Sequence, residues 1–275
     1  MSMQECTRVF PSLRSLAMPH GGRWVLPKRD HSGCHWRNLT CIECPLVVAN
    51  VLVSGHPTVE CVRVHDTMHP GLGQRYAAMY AALRRCHIRN FALGVYQTHS
   101  SFDGSGGALG VYAAQSARGL ISNYWPGFAE AIPRARFIAI QFGGYYSDEH
   151  APSEVLDVLF HLSSEETVSA IRSLGELKYV SLSLYQALGS RYRSRVADAS
   201  QMRAAHQGVI ALWFGNCPEL EYLDIDIPLW DWPKMWWRRW PERVRARDGG
   251  SGNVVAISEE EGLSARSCFE HGGCW

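Results

Sequence analysis

One short pattern of apolar positions recurs seven times along the chain: an apolar residue, two spacers, a second apolar residue, one spacer and a third. The copies are Leu13/Leu16/Met18, Trp36/Leu39/Cys41, Val59/Val62/Val64, Ile88/Phe91/Leu93, Ala135/Ile138/Ile140, Leu177/Val180/Leu182 and Leu220/Leu223/Ile225. Successive copies begin 23, 23, 29, 47, 42 and 43 residues apart. A strand with a return segment of this length cannot bury its own apolar edge, so the pattern predicts units that stack on one another.

The last two copies indicate most clearly what each unit contains. The segments 176–184 and 219–227 align position by position, and apolar residues alternate with others over Val180–Leu184 and Leu223–Ile227. Alternation with a period of two is typical of a short strand with one buried face. Each copy therefore predicts a short strand.

Helical segments are predicted between these strands. Residues 72–86 are rich in alanine and basic near their C-terminal end, where cations favour the helix dipole. Further helices are predicted within 108–131, after a capping box that begins at Ser163 or Ser164, and over 196–214. The two steps of 23 residues leave little room for a helix, so the early returns are predicted to be loops or single turns.

Together these elements predict an α/β fold. One elongated domain covers residues 1–245, and a flexible tail covers residues 246–275. The tail is indicated by the glycine-rich stretch 248–253 and by the acidic run Glu259–Glu261.

Composition narrows the class of protein. The net charge of +1 gives no general attraction to nucleic acid or to an anionic membrane. No apolar run approaches the roughly 20 residues that span a bilayer, and residues 1–18 lack the apolar core of a signal peptide. Nine cysteines without tight pairing favour a reducing compartment, so a cytoplasmic or nuclear location is expected.

The fragments PSLRSLAM at 11–18 and CPELEYLDI at 217–225 resemble the L-x-x-L-x-L strand core of leucine-rich repeats. A proline or cysteine–proline ahead of the first leucine is similar to the irregular repeats of F-box-associated proteins, particularly the divergent fungal ones. The resemblance covers roughly residues 8 to 230. It implies an irregular leucine-rich-repeat solenoid, with short parallel strands on the concave face and with helices and loops on the convex face.

The resemblance also implies a function, which is protein binding, in the manner of the substrate-recognition arm of an F-box protein. No F-box precedes the first copy. The asparagine or cysteine ladder that normally follows the strand is missing from most copies as well. Docking to a ubiquitin-ligase adaptor is therefore not part of the expectation.

In such a solenoid the spacers would face the concave surface. The first spacers are mostly basic: Arg14, Arg37, Glu60, Arg89, Arg136, Lys178 and Glu221. Aromatic second spacers follow in the last three units, with two aspartates after them. The predicted partner-binding residues are therefore Arg89, Arg136, Phe137, Lys178, Tyr179, Glu221, Tyr222, Asp224 and Asp226. The alternative is that the charges are merely solvated and that the aromatic side chains cover a neighbouring loop.

Five tryptophans with two interleaved arginines form the most unusual segment, 230–240. We expect these side chains to cap the exposed core edge of the terminal unit. A cation–π contact with a partner or a membrane-interface anchor are the alternatives.

The main alternative function is a nucleotide-dependent enzyme that uses the loop Gly104–Gly110, which lies between a predicted strand and a predicted helix. Its spacing is G-x-G-x-x-x-G, and no acidic residue ends the next strand to hold a ribose. A turn that precedes a helix explains the glycines more simply.

Other chemistry has weaker support in the sequence. Cys34, Cys41 and Cys44, near His31 and His35, contain only one C-x-x-C pair, whereas tetrahedral zinc needs a second, so burial of these cysteines is favoured. No G-x-S-x-G elbow is present. The sequence thus predicts a non-catalytic binding protein with a protein partner and with no cofactor, metal, nucleic acid, membrane or small-molecule substrate.

Overall fold

The computed structural model describes residues 3–18, 36–67, 73–96, 125–144, 159, 162–186, 199–227, 234–240 and 254–270. The strands are β1 Ser15–Ala17, β2 Cys41–Pro45, β3 Cys61–Thr67, β4 Asn90–Tyr96, β5 Phe137–Gly144, β6 Tyr179–Gln186, β7 Tyr222–Asp226, β8 Met235–Arg239 and β9 Val254–Ile257. The helices are α1 Met3–Val9, α2 Leu46–Gly55, α3 Gly73–Leu83, α4 Glu165–Arg172, α5 Ala199–Asn216 and α6 Glu259–Glu270. Residues 125–131 are helical as well.

All nine strands belong to one sheet, in which they follow one another in chain order. Strands β1 to β7 are parallel, while β8 and β9 are antiparallel to their neighbours. Parallel neighbours need a crossover connection, and helices lie in each of the connections from β2 to β7. The protein therefore has a mixed α/β fold built on a mostly parallel sheet.

Six of the seven sequence copies occupy equivalent positions in this sheet. The middle residue of each copy stands opposite the middle residue of the next in register, as in Val62–Phe91, Ile138–Val180 and Val180–Leu223. These side chains lie in the main core, between one face of the sheet and the helices. The fully buried set includes Ile42, Val62, Phe91, Ile138, Val180 and Leu223.

The second copy, predicted as Trp36/Leu39/Cys41, is wrong by three positions. The strand instead uses Leu39, Ile42 and Cys44, because Ile42 stands in register between Leu16 and Val62. Both choices satisfy the apolar pattern. Burial decides between them, since Ile42 is completely buried in the main core whereas Cys41 is only half-buried, on the opposite face.

A backbone seam joins consecutive units just before their strands. The carbonyl oxygen of Arg136 accepts hydrogen bonds from the N–H groups of Lys178 and Tyr179, both at 2.9 Å. The carbonyl of Lys178 does the same for Glu221 and Tyr222, at 2.8 and 3.0 Å. The same double acceptance occurs at Arg14, Thr40, Glu60 and Arg89. The first spacers are thus aligned in a row along one end of the strands.

The helices agree with the sequence at four places. Helix α3 falls within the predicted 72–86, residues 125–131 lie at the end of the predicted 108–131, and α5 overlaps 196–214. Helix α4 follows Ser164, whose Oγ accepts the N–H of Thr167 at 3.4 Å. The expectation of a loop or single turn is wrong for the return between the second and third copies, while the first return, residues 19–35, lies outside the described residues. Helix α2 begins directly after β2 and buries its apolar residues Leu46, Val48, Ala49, Leu52 and Val53.

Residues 254–270 differ from the flexible tail predicted over 246–275. Strand β9 pairs with β8, and α6 then packs on the sheet face opposite the main core. Ser258 Oγ accepts the N–H of Glu261 at 3.2 Å, and Glu259–Glu261 occupy the first turn of α6, where negative charge stabilises a helix. The acidic run is therefore a helix start. None of the helices among the described residues is long and apolar enough to cross a membrane.

Candidate functional site

The sheet face opposite the main core, called the outer face below, carries every second residue of the strands. Its first row runs in register through Ser15, Cys41, Cys61, Asn90, Phe137, Tyr179 and Tyr222. The next row runs through Ala17, Glu43, Arg63, Ala92, Ala139, Ser181 and Asp224. The face is therefore polar at its N-terminal end and aromatic at its C-terminal end.

Helix α6 covers the aromatic end of the outer face. The Phe269 ring lies 5.4 Å from the ring of Tyr179 and 6.0 Å from that of Tyr222, measured between centroids. The rings of Phe137 and Tyr179 are likewise 5.4 Å apart. Phe137 is 2% exposed and Tyr179 is not exposed at all. These three predicted partner-binding aromatics thus pack around Phe269 of α6, a helix distant in sequence, and not around the neighbouring loop of the alternative.

Asp224, another predicted binding residue, is completely buried in this cluster. Its carboxylate accepts hydrogen bonds from the Tyr179 hydroxyl at 2.9 Å and from Ser181 Oγ at 3.1 Å. Lys234 Nζ lies 3.1 Å and Arg266 Nη1 lies 4.0 Å from Asp224 Oδ1. Burial raises the pKa of Asp224, and the two cations oppose that rise. The residue therefore ties β6, β7, the segment before β8, and α6 together.

Polar contacts also hold both ends of α6. Arg238 on β8 donates to Glu261 at 2.8 Å, near the start of the helix. At its end, the Asn90 side-chain amide donates to the carbonyl oxygen of Phe269 at 3.0 Å. Arg63 Nη2 lies 3.6 Å from Glu270 Oε2. The helix thus crosses the outer face from β8 to β3 and leaves the strands before that point uncovered.

Gly262 allows the close approach of α6 to β8. A Cβ atom at this position would lie 2.6 Å from Cγ of the buried Trp236 ring. We expect Gly262→Ala to lower the free energy of unfolding by about 1–3 kcal/mol through overpacking, although alanine is about 1 kcal/mol better than glycine in a helix. Denaturant unfolding monitored by circular dichroism measures this change.

Gly208 provides the matched control, since it is also a helical glycine but has only Ser163 Oγ near the added Cβ, at 3.9 Å. We expect Gly208→Ala to raise the free energy of unfolding by up to about 1 kcal/mol. Equal stabilisation by both substitutions would contradict the close packing of α6 on Trp236.

The predicted charged residues lie where the sequence places them, on the row of first spacers. We call Glu60, Arg89, Arg136, Lys178 and Glu221 the charged edge. Carboxylates accompany its cations: Arg89 Nε lies 3.9 Å from Glu60, Arg136 Nε lies 3.5 Å from Glu176, and Lys178 Nζ lies 3.0 Å from Glu221. Thr40 takes the place that the sequence pattern assigns to Arg37. The row of first spacers, which the sequence predicts to be mostly basic, is therefore a row of mixed charge.

The remaining predicted residue, Asp226, is half-buried at the end of β7.

A cavity of about 510 Å³ opens on the polar end of the outer face, beyond the end of α6. Its lining residues, which we call the polar end, are Ser15, Thr40, Cys41, Glu43, Glu60, Cys61, Arg63, Arg89, Asn90 and Glu270. Of this set, only Arg89 was predicted as a binding residue. The shifted second copy concealed Thr40, Cys41 and Glu43, because it placed Cys41 in the core, and Glu270 was assigned to the flexible tail. A second cavity of about 620 Å³ lies on the helical side, lined by Pro126, Glu130, Glu165, Ser169, Ala170 and Ser173.

The other sequence candidates are distributed as follows. The loop Gly104–Gly110 and the residues His31, Cys34 and His35 lie outside the described residues. Within the part of the chain that the structure describes, no three His, Cys, Asp or Glu side chains are placed to share a metal ion. Trp237 packs against the main core, as expected of a cap, whereas Trp236 is buried on the outer face with Phe269. Trp230 and Trp232 lie outside the described residues. Trp240 is 42% exposed.

The outer face thus combines three features: an aromatic cluster covered by α6, a charged edge, and an open polar cavity. The exposed part of this face carries side chains of both charges. A comparison with known proteins finds no protein-family model that matches this chain and no curated protein that matches it.

Proposed function

We propose that this protein is an irregular leucine-rich-repeat solenoid that binds a protein partner, without catalysis or a cofactor. The observation that carries the proposal is the strand order. Seven parallel strands follow one another in chain order, each in register with the next, and a backbone seam links the units. Stacking of this kind is the physical basis of repeat proteins, whose extended sheet surface serves recognition.

The partner binds at the polar end and the charged edge, because α6 covers the aromatic end. Both surfaces carry acidic and basic groups, and the side chains of Glu60 and Arg89, which belong to both, are each about half exposed. A partner segment with acidic and basic residues would form ion pairs across the interface in place of the ion pairs within this row. By the resemblance to F-box repeat regions, the protein acts as a recognition arm in the cytoplasm or nucleus.

A nucleotide-dependent enzyme is the alternative, and the strand order argues against it. The loop Gly104–Gly110 connects β4 to β5, and these strands are direct parallel neighbours. In open α/β sheets, nucleotide sites form where the strand order reverses, and this sheet has no reversal among its described strands. Adenine nucleotides should therefore leave the thermal midpoint unchanged. A clear rise with any of them would favour the enzyme.

Affinity capture with a charge-reversed variant tests the binding proposal. In Arg89→Glu/Arg136→Glu, two cations of the charged edge become anions beside Glu60 and Glu176. A partner retained by the wild type should bind this variant at least about tenfold more weakly. The affinity of each captured protein is then measured with purified components.

The matched control is Arg84→Glu/Arg172→Glu, which makes the same change in charge on the helical side. Arg84 pairs with Glu130, and Arg172 donates to Asn216 across α4 and α5. This control should bind like the wild type. An equal loss of affinity in the two variants would contradict the proposal, because binding would then depend on another surface or only on the net charge of the protein.

A further inference from the structure

Two cysteines face each other at the polar end. Cys41 on β2 and Cys61 on β3 are register partners in the parallel ladder, and both project from the outer face into the lining of the 510 Å³ cavity. Both are free thiols and half-buried. Both residues therefore line a cavity that is open to small solutes.

The spacing of the strands suits a bond between these two residues. Neighbouring strands lie about 4.7–4.9 Å apart, and disulfide-linked cysteines have Cα atoms about 4.4–6.8 Å apart. The two side chains stand directly opposite each other on the same face of the sheet. Closing a disulfide here requires side-chain rotation and no displacement of the strands.

The surroundings make the two sulfur atoms chemically different. The hydrogen bond from Cys61, assisted by Ser15 and the positive charge of Arg63, lowers the pKa of Cys41 to about 6, against burial and the charge of Glu43. The same hydrogen bond and burial raise the pKa of Cys61. The pair therefore combines a more acidic and a less acidic thiol, the combination of a reactive and a resolving cysteine.

The other charged groups of the cavity are Glu60, Arg89 and Glu270, and His65 Nε2 lies 3.0 Å from Glu43 Oε1.

The core cysteines differ from Cys41. Cys44 is on the same strand but faces the main core, where burial raises its pKa to about 12. Burial likewise raises the pKa of Cys217 to about 12. The sheet thus places one activated thiol among inert ones.

We propose that Cys41 and Cys61 form a peroxide-reactive dithiol site that closes to a disulfide across β2 and β3. The Cys41 thiolate attacks one oxygen of hydrogen peroxide, the O–O bond breaks, and Cys41 becomes a sulfenic acid while hydroxide leaves. The Cys61 sulfur then attacks the Cys41 sulfur, the S–O bond breaks, and its proton leaves with the hydroxyl as water. Peroxide is reduced by two electrons, the dithiol is oxidised by two, and a cellular dithiol reductant reverses the change.

Zinc is a less suitable occupant. Tetrahedral zinc takes three or four protein ligands, and the described residues place no third His, Cys, Asp or Glu with this pair. A dithiol with one activated sulfur is complete for redox chemistry without any further ligand.

Peptide mapping of the reduced full-length chain after a limiting dose of hydrogen peroxide tests the site. Trypsin and a glutamate-specific protease together cut after Arg37, Glu43, Glu60 and Arg63, so that Cys41, Cys44 and Cys61 fall on separate peptides 38–43, 44–60 and 61–63. We expect a disulfide between peptides 38–43 and 61–63. In Cys61→Ser, Cys41 should instead accumulate as a sulfenic acid that a 1,3-diketone traps, and in Cys41→Ser, Cys61 should remain reduced.

Alkylation rates give a second readout that does not depend on disulfide closure. The rate at Cys41 should rise with pH to a half-maximum near pH 6 and exceed that at Cys86 by at least about tenfold at pH 7, because burial raises the pKa of Cys86. A link through Cys44 in place of Cys41, or equal alkylation rates at Cys41 and Cys86, would overturn the proposal. Partner binding is not measured in either assay, so the two proposals fail independently.

Discussion

Replacing Asp224 with alanine is expected to lower the free energy of unfolding by about 3–5 kcal/mol. The substitution leaves the hydroxyl groups of Tyr179 and Ser181 without their buried acceptor, and it leaves Lys234 without the carboxylate that it contacts at 3.1 Å. A buried donor without a partner loses its hydration and gains nothing in return. Urea unfolding followed by tryptophan fluorescence measures the loss.

Two further variants separate charge from shape. Asp224→Asn keeps an oxygen that can accept hydrogen bonds from Tyr179 and Ser181. Its free energy of unfolding should therefore lie between those of the wild type and the alanine variant. Asp226→Ala, two residues along the same strand face, is the matched control because Asp226 is half-buried. It should change the free energy of unfolding by less than about 0.5 kcal/mol. If Asp224→Ala changed the free energy of unfolding as little as this control, the buried hydrogen bonds and ion pairs of Asp224 would not stabilise the fold, contrary to the structure.

Replacing Phe269 with alanine is expected to release α6 from the sheet. Phe269 is the buried apolar side chain through which the helix contacts Tyr179 and Tyr222. Phe→Ala substitutions at buried sites lower the free energy of unfolding by about 3–5 kcal/mol. Because each 1.4 kcal/mol changes an equilibrium constant tenfold, amide exchange over α6 should accelerate at least about a hundredfold. Hydrogen exchange with mass spectrometry measures the change, and the amides of α3 serve as the internal reference.

Leu263→Ala is the control on the same helix, because Leu263 is 50% exposed. Its exchange should resemble that of the wild type. The docking of α6 would be contradicted if Leu263→Ala and Phe269→Ala accelerated exchange equally, or if neither changed it.

Much of the sheet could be predicted from the sequence, because the apolar pattern reports which side chains face the main core. The last four copies identify their strands correctly, since alternation over residues such as 180–184 admits one register only. The second copy could not be placed this way. Trp36, Leu39, Ile42 and Cys44 are all apolar and all buried, so two registers fit the pattern and only the neighbouring strands select one.

The covering of the aromatic end could not be predicted, because it depends on contacts between distant parts of the chain. Asn90 and Phe269 are 179 residues apart, and their hydrogen bond fixes where α6 ends. A local signal for the helix start was present in Ser258 and Glu261. Nothing local indicated that the helix returns to Tyr179 and Tyr222. The sequence thus marked these aromatics as suited to an interface without indicating that the partner is the chain itself.

The position of α6 limits the proposed binding surface. Because the helix occupies the aromatic end, the proposed binding surface consists of the charged edge and the polar end, and Glu60 and Arg89 belong to both. The competing surface is the helical-side cavity that Glu130 and Glu165 line. These two surfaces carry exposed carboxylates, so a chemical label can distinguish them.

Carboxyl footprinting of the complex with a captured partner is the most direct test of the proposed binding surface. Free in solution, Glu60, Glu221 and Glu130 should all be labelled, since their side chains are 48%, 49% and 68% exposed. We expect the partner to protect Glu60 and Glu221 and to leave Glu130 and Glu165 labelled as before. Protection of Glu130 and Glu165, with Glu60 and Glu221 unchanged, would overturn the proposed binding surface.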